Sequence, residues 1–124
     1  MDRLCAVSVD LDEVPCYTAI HGLPSPRDDR ASAIYRRALP RFADLFADLG
    51  APATFFAVGR DLAQRPNQRA LRKLAEVGHE IANHSASHLY DLTRRPRAVI
   101  EREVADAPRP PPRSRRPRPP PRAR

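Results

Sequence analysis

The stretch LPRFADLFADLGAPATFFAVG, residues 39–59, decides the fold class because it predicts a helix followed at once by a buried strand. Apolar residues in its first half recur with the 3.6-residue period of a helix: Leu39, Phe42, Leu45, Phe46 and Leu49. Pro40 is tolerated in the first turn of a helix and Gly50 is a natural stop, which predicts a helix over residues 40–49. The run ATFFAVG, residues 53–59, is too short for a helix and predicts a buried strand.

The segments on either side of this stretch repeat the same alternation of strand and helix. A buried strand is predicted for LCAVSV, residues 4–9, and a third short strand is predicted for HEIAN, residues 79–83. Helices are predicted for residues 31–38, 67–78 and 96–105. The order strand, helix, strand, helix, strand, helix indicates parallel βαβ units. The sequence therefore predicts an α/β fold, either a small open sheet or part of a larger one.

Several positions in these segments carry predictions of their own. Residues 13–30 contain Pro15, Gly22, Pro24 and Pro26 and predict a long loop. Asn67 is a candidate cap for the helix that begins there. The inner face of that helix is predicted to hold Leu71, Leu74 and Val77. Cys5 is expected to be a buried small hydrophobic residue, and His79 is expected to be structural.

The net charge of +7 belongs to the C-terminal tail, APRPPPRSRRPRPPPRAR, residues 107–124. Seven of the 22 basic residues lie in this tail, so the 15 that remain in residues 1–106 balance the 15 acids. Composition therefore gives no support to a basic nucleic-acid-binding face on the folded part, and nucleic acid is expected to bind only non-specifically through the tail. The tail holds eight of the 15 prolines and is predicted to be disordered.

Sequence signals for export or membrane insertion are not recognisable. No run approaches the ~20 apolar residues of a membrane span, and the first residues lack a charged-then-apolar leader. A cytoplasmic location without a membrane partner is the default expectation. Cys5 and Cys16 lack the CxxC spacing of a metal site, and the pattern gives no oligomeric state.

Four side chains with metal-site chemistry follow two of the predicted strands. Asp10 and Asp12 come after the first strand, and His84 and His88 come after the third. Active sites of parallel α/β folds lie at the carboxyl ends of the strands, so these side chains converge if the strands are neighbours. Two imidazoles and one carboxylate are a common ligand set for a divalent metal such as zinc. A second carboxylate nearby can accept the proton of a water that such a metal activates.

Each half of this pattern also has an ordinary structural interpretation. His84 and His88 fit two surface or capping histidines, and Asp10 and Asp12 fit a strand-end loop with helix-capping acids. The two halves together, each after a strand of a βαβ pattern, are more informative than either alone. Spacing by itself leaves the metal site and the structural interpretation open.

At these residues the chain resembles a known family. SVDLDE, residues 8–13, and HEIANHSASH, residues 79–88, resemble the first two motifs of the polysaccharide deacetylases, carbohydrate esterase family 4. Between them, residues 39–59 resemble the conserved helix and strand of that family. The resemblance covers roughly residues 3–106. It implies an α/β fold that is a partial (β/α) barrel, with its first three or four βα units in a domain over residues 1–106.

The resemblance also implies roles for individual residues. Asp12, His84 and His88 would be the ligands of a divalent metal, usually zinc in this family, and Asp10 would be the base that activates water. The implied reaction is N-deacetylation of an N-acetylated polysaccharide or peptidoglycan, with a small amide as the other substrate class. Tyr17 and His21, in the loop above the presumed site, are candidates for contact with substrate.

The sequence departs from the usual family pattern in two places. Leu11 separates the two aspartates and Glu13 follows, which looks closer to the Asp-x-Asp branch and leaves Glu13 as an alternative ligand. The family's later arginine, aspartate and histidine motifs are not recognisable, which implies a truncated form with weak or no activity. The alternative is a non-catalytic α/β interaction protein whose Pro/Arg-rich tail binds a protein or nucleic-acid partner.

Overall fold

The computed structural model describes residues 4–106. In it, the protein consists of a three-stranded parallel sheet and helices. The strands are β1 Ser8–Leu11, β2 Thr54–Ala57 and β3 Glu80–Asn83, and they lie in the order β1-β2-β3. The α-helices of the described part are α1 Val14–Ile20, α2 Leu39–Asp48, α3 Arg65–Glu76 and α4 Arg97–Ala105. The predicted α/β class is confirmed. The predicted disordered tail lies outside the described residues.

The two faces of the sheet differ in how they are covered. Side chains alternate along each strand, so one row across the three strands belongs to the covered face: Val9, Phe55 and Ile81. The helices α2 and α3 supply the apolar side chains that pack there, including Leu39, Phe46, Leu71 and Leu74. The other face, which we call the open face, carries residues that retain exposure: Ser8, Asp10, Thr54, Phe56, Glu80 and Ala82. Residues that continue this alternation past the strand ends therefore reach the open face.

The first strand lies later in the chain than predicted. It begins at Ser8 because β2 offers backbone partners only from Thr54 to Ala57. Residues 4–7 precede the paired register and are exposed, although the Val7 carbonyl still accepts the N–H of Thr54 at 2.9 Å. The prediction of a buried Cys5 is therefore wrong, because Cys5 lies before the first strand and is exposed.

Part of the predicted loop over residues 13–30 is helical. Pro15 reads as a helix breaker but lies in the first turn of α1, where its missing N–H costs nothing. The helix predicted over residues 31–38 is instead a 3-10 turn, Asp29–Ser32, followed by a π-helical turn, Ile34–Ala38. The chain then enters α2 directly, with Pro40 in its first turn as expected.

Helix α3 begins two residues before the predicted start, and this shift corrects two predictions. Asn67 is not the cap, because Pro66 is accepted in the first turn and Asn67 lies inside the helix. Its buried amide Nδ2 donates to the carbonyl of Asp61 at 2.9 Å. Val77 follows the helix and is 72% exposed, so its predicted place on the inner face is wrong.

His79 has the structural role that the sequence predicts. Its Nδ1 accepts a hydrogen bond from the backbone N–H of Ala53 at 3.1 Å, and its ring packs against Phe46 and Phe55. The bond ties the start of β3 to the residue before β2. Within residues 4–106, the structure contains no helix long and apolar enough to cross a membrane.

Candidate metal centre

Asp12, His84 and His88 meet at the carboxyl end of the sheet. Oδ1 of Asp12 lies 3.2 Å from Nε2 of His84 and 3.5 Å from Nε2 of His88. One ligand atom from each residue lies within 4.8 Å of the other two. The two imidazole rings are 4.7 Å apart between centroids. This is the clustering that the sequence predicts for these three residues.

The three side chains converge although β2 separates the two strands that precede them. Asp12 and His84 each continue the strand alternation onto the open face, and His84 packs against Phe56 there. Residues 84–88, which we call the histidine loop, then fold back over the end of β2. Gly59 N–H donates to the carbonyl of Ser85 at 2.9 Å, and Arg60 N–H donates to that of Ala86 at 2.8 Å. Adjacent strands are therefore not required for the predicted convergence.

The histidine loop has an unusual backbone. Ser85 and His88 both adopt left-handed conformations, with φ of 64° and 56°. Such conformations cost of order 1 kcal/mol or more for residues other than glycine and persist where the surroundings enforce them. Oγ of Ser85 accepts the backbone N–H of His88 at 3.0 Å, and this hydrogen bond helps to fix the turn.

The donor set fits a divalent metal ion. Oδ1 of Asp12 is buried and accepts no hydrogen bond from the described residues. Nδ1 of His88 is likewise buried without a hydrogen-bond partner among them. A buried carboxylate oxygen without a hydrogen bond is costly, and a cation beside it removes that cost. Imidazole and carboxylate ligands together suit zinc and other first-row metals.

Glu13 does not join this group. Its Oε1 accepts the backbone N–H of Tyr35, and its Oε2 accepts that of Ile34, both at 3.1 Å. The carboxylate is buried in this position and supplies acceptors for the first N–H groups of the π-helical turn. The geometry therefore disfavours the alternative in which Glu13 is a ligand.

Asp10 lies outside the three-residue cluster but close to it. It is exposed on the open face of β1, two residues before Asp12 and hence on the same side of the strand. Tyr17, on α1, is close enough to Asp10 and Asp12 for their charges to affect its hydroxyl group. Burial, followed by the charges of Asp12 and Asp10, raises the pKa of Tyr17.

Two half-exposed tyrosines border the cluster. Tyr90 packs edge-on against His88, with ring centroids 4.7 Å apart, and burial followed by the charge of Asp12 raises its pKa. Tyr17 is 47% exposed and Tyr90 is 52% exposed, so both present ring surface to solvent. His21 follows the last residue of α1 and is exposed.

A buried polar group behind the cluster was not predicted from the sequence. Sγ of Cys16 accepts a hydrogen bond from Nη2 of Arg60 at 2.7 Å, and Cys16 is only 2% exposed. Burial raises the pKa of this thiol, although Arg60 opposes the effect. Burial also raises the pKa of Asp61 to about 6. Residues 16 and 60 are 44 positions apart, so no local pattern links them.

Comparison with known proteins places the chain in a family. The polysaccharide deacetylase family matches residues 28–109. The chain belongs to the polysaccharide deacetylase family. The matched range contains His84 and His88, and it begins after Asp10 and Asp12. The family resemblance stated from the sequence is thereby confirmed.

Individual relatives of this polysaccharide deacetylase-family chain are similar over shorter stretches. It is 39% identical over 70 residues to a chitooligosaccharide deacetylase of Sinorhizobium fredii (strain NBRC 101917 / NGR234), covering 56% of this chain and 31% of that protein. It is 37% identical over 70 residues to one of Bradyrhizobium sp. (strain ANU 289), with the same coverage. The chain thus spans less than a third of the length of these relatives. No solved structure matches it.

Proposed function

We propose that this polysaccharide deacetylase-family chain is a metal-dependent hydrolase that acts on the amide bond of an N-acetylated glycan. The observation that carries the proposal is the meeting of Asp12, His84 and His88 around one point at the carboxyl end of the sheet. Family membership supports the class of reaction, and the chitooligosaccharide deacetylases among its relatives support a glycan substrate.

The proposed ligands are Asp12, His84 and His88, and the proposed metal is zinc. When bound, a divalent metal would polarise the amide carbonyl and lower the pKa of the attacking water. The protein contributes a preformed set of three ligands that leaves room for water and substrate, as in catalytic rather than structural zinc sites. Zinc is favoured by the two imidazoles beside a single carboxylate.

Asp10 is the proposed base. Its exposed carboxylate lies on the same face of β1 as Asp12, so it faces the region where water and the amide would meet. In the proposed reaction the water oxygen bonds to the acetyl carbon and the C–N bond breaks. Asp10 accepts the proton that the water loses and passes it to the nitrogen as that atom leaves. The products are acetate and a free amine on the sugar.

The substrate is proposed to lie across the two tyrosines. Tyr17 and Tyr90 both sit within reach of the Asp12 charge and expose about half of their surface. Aromatic faces of this kind pack well against the apolar faces of sugar rings. His21 stays a candidate for contact at the edge of this surface.

The fold is proposed to be a partial (β/α) barrel with its domain over residues 1–106. The parallel order β1-β2-β3 and the placement of α2 and α3 on one face support this proposal. The open face carries the site residues, as the interior-facing ends of barrel strands do.

The test is a zinc titration of the full chain and its variants, followed by an assay for acetate release from a chitooligosaccharide. We expect Asp12→Ala and His84→Ala to lower zinc affinity by at least ~10²-fold, because each removes one of three ligands. His21→Ala, at an exposed histidine outside the cluster, is the matched control and should bind zinc like the wild type. Asp10→Asn should keep zinc affinity and lose acetate release. Equal zinc affinity in all variants would remove the metal site.

A further inference from the structure

We propose that Glu103, on α4, is a positioning residue for the metal centre, because its carboxylate holds the histidine loop in the conformation that brings both imidazoles to Asp12. The inference rests on the proposed function and adds a residue 15 positions beyond the last proposed ligand. No short-range motif contains it. Its only signal in the sequence is an acid on the inner face of a predicted helix, one turn beyond Val99 and Ile100.

Glu103 contacts the histidine loop through three hydrogen bonds. Its Oε2 accepts the backbone N–H of Ser87 at 2.8 Å, and its Oε1 accepts the Ser87 hydroxyl at 2.6 Å. Its backbone carbonyl accepts the N–H of Ala86, also at 2.8 Å. Both carboxylate oxygens are thus engaged by the residue directly before His88.

The neighbouring residue on α4 holds the other end of the loop. Nδ2 of Asn83, directly before His84, donates to the carbonyl of Val104 at 3.1 Å. The last turn of α4 therefore contacts the chain immediately before His84 and immediately before His88. These two attachments, one directly before each histidine, limit the movement of both imidazoles relative to Asp12, which directly follows β1.

The charge and burial of Glu103 suit this role. Burial works to raise its pKa, but hydrogen bonds from the Ser87 side chain and backbone outweigh this effect and hold the pKa of Glu103 below its usual value. The side chain is therefore an ionised acceptor at neutral pH. Charge-assisted hydrogen bonds of this kind are shorter and stronger than neutral ones.

The backbone conformation of the histidine loop explains why the hydrogen bonds to Glu103 are needed. Ser85 and His88 hold left-handed conformations that neither residue type prefers, so the loop needs external contacts to keep it. Without Glu103, Ser87 loses its partners for two donors and the loop is free to relax. Groups that orient metal ligands through such contacts typically change metal affinity by 10- to 100-fold when removed.

The experiment measures zinc affinity and the visible absorption spectrum of the cobalt(II)-substituted full chain. We expect Glu103→Ala to weaken zinc binding by ~10- to 100-fold and to alter the cobalt ligand-field bands, while Glu103→Gln, which keeps one acceptor oxygen, falls in between. Glu101→Ala is the matched control, since Glu101 is exposed on the same helix and pairs only with Arg97 among the described residues. It should bind zinc like the wild type.

A second variant keeps the inference testable if Glu103→Ala does not fold. Ser87→Ala removes the hydroxyl from the other side of the contact and should shift zinc affinity and the cobalt bands in the same direction, by less. A folded Glu103→Ala, or a folded Ser87→Ala where that variant is needed, with wild-type zinc affinity and cobalt spectrum would overturn the inference while leaving the proposed function standing. If the wild type itself binds no zinc, both proposals fail.

Discussion

At the scale of residues, three buried carboxylates near the sheet end have three different environments. Glu13 accepts two backbone N–H groups, and Asp12 faces two imidazoles. Asp61 has a buried Oδ2 without a hydrogen-bond partner among the described residues. The sequence predicted the metal-ligand set that contains Asp12, but it left open whether Glu13 is a ligand. The hydrogen bond that argues against Glu13 as a ligand joins residues 13 and 35, and no sequence pattern connects these two positions.

Asp61 should make the stability of the fold depend on pH. Burial raises its pKa to about 6, whereas the unfolded chain has the usual value near 3.8. Between these values the folded state keeps a proton that the unfolded state releases, so stability falls as pH rises from 4 to 6 and stays lower above. We expect Asp61→Asn to gain stability relative to the wild type over that window, by up to roughly 3 kcal/mol.

Denaturant unfolding at pH 4, 6 and 7.5 measures this difference. Asp44→Asn, at an exposed aspartate on α2, is the control and should show no such change between the three pH values. A difference between Asp61→Asn and the wild type that stays constant across the pH range would contradict the prediction.

At the scale of elements, the sequence predicted three of the four α-helices of the described part, missed α1, and placed a helix over residues 31–38 where the structure has a 3-10 turn and a π-helical turn. The apolar period placed α2, α3 and α4 within two residues of their observed limits. Prolines caused the errors, because Pro15 and Pro66 lie in first turns and mark helix starts that the pattern read as loop. The start of β1 also depended on tertiary contacts, since it lies where pairing with β2 begins, at Ser8 opposite Thr54.

The corrected limits of α3 predict a contrast between two apolar residues three positions apart. Leu74 is 4% exposed in the core, whereas Val77 lies past the helix end and is 72% exposed. Leu74→Ala should lower the free energy of unfolding by about 2–5 kcal/mol, and Val77→Ala should change it by less than about 0.5 kcal/mol. Urea unfolding of both variants measures this, and similar losses in the two would show that α3 extends as the sequence first predicted.

At the scale of the whole molecule, the balance of charge separates two parts of the chain. Residues 1–106 carry equal numbers of acids and bases, and the net charge of +7 lies in residues 107–124. The parallel direction of the strands followed from the sequence, because alternating strands and helices give parallel sheets. The sequence did not predict which face of the sheet is open. Packing, and not the local sequence pattern, determines which helices cover which face.

Deletion of residues 107–124 should separate the site from any binding through the tail. Zinc affinity should remain at the wild-type value, because every proposed ligand and Glu103 lies before residue 107. Binding to a DNA duplex at low salt should disappear with the seven arginines. Zinc titration and a salt-dependent DNA-binding assay measure the two effects. A loss of zinc binding on deletion would contradict a domain over residues 1–106.

The most direct test of the metal centre is X-ray absorption spectroscopy of the zinc-loaded full chain. Ligation by Asp12, His84 and His88 predicts a first shell of nitrogen and oxygen at ~2.0–2.1 Å with scattering from two imidazole rings. A shell with one imidazole or none, or with sulfur at ~2.3 Å, would contradict it.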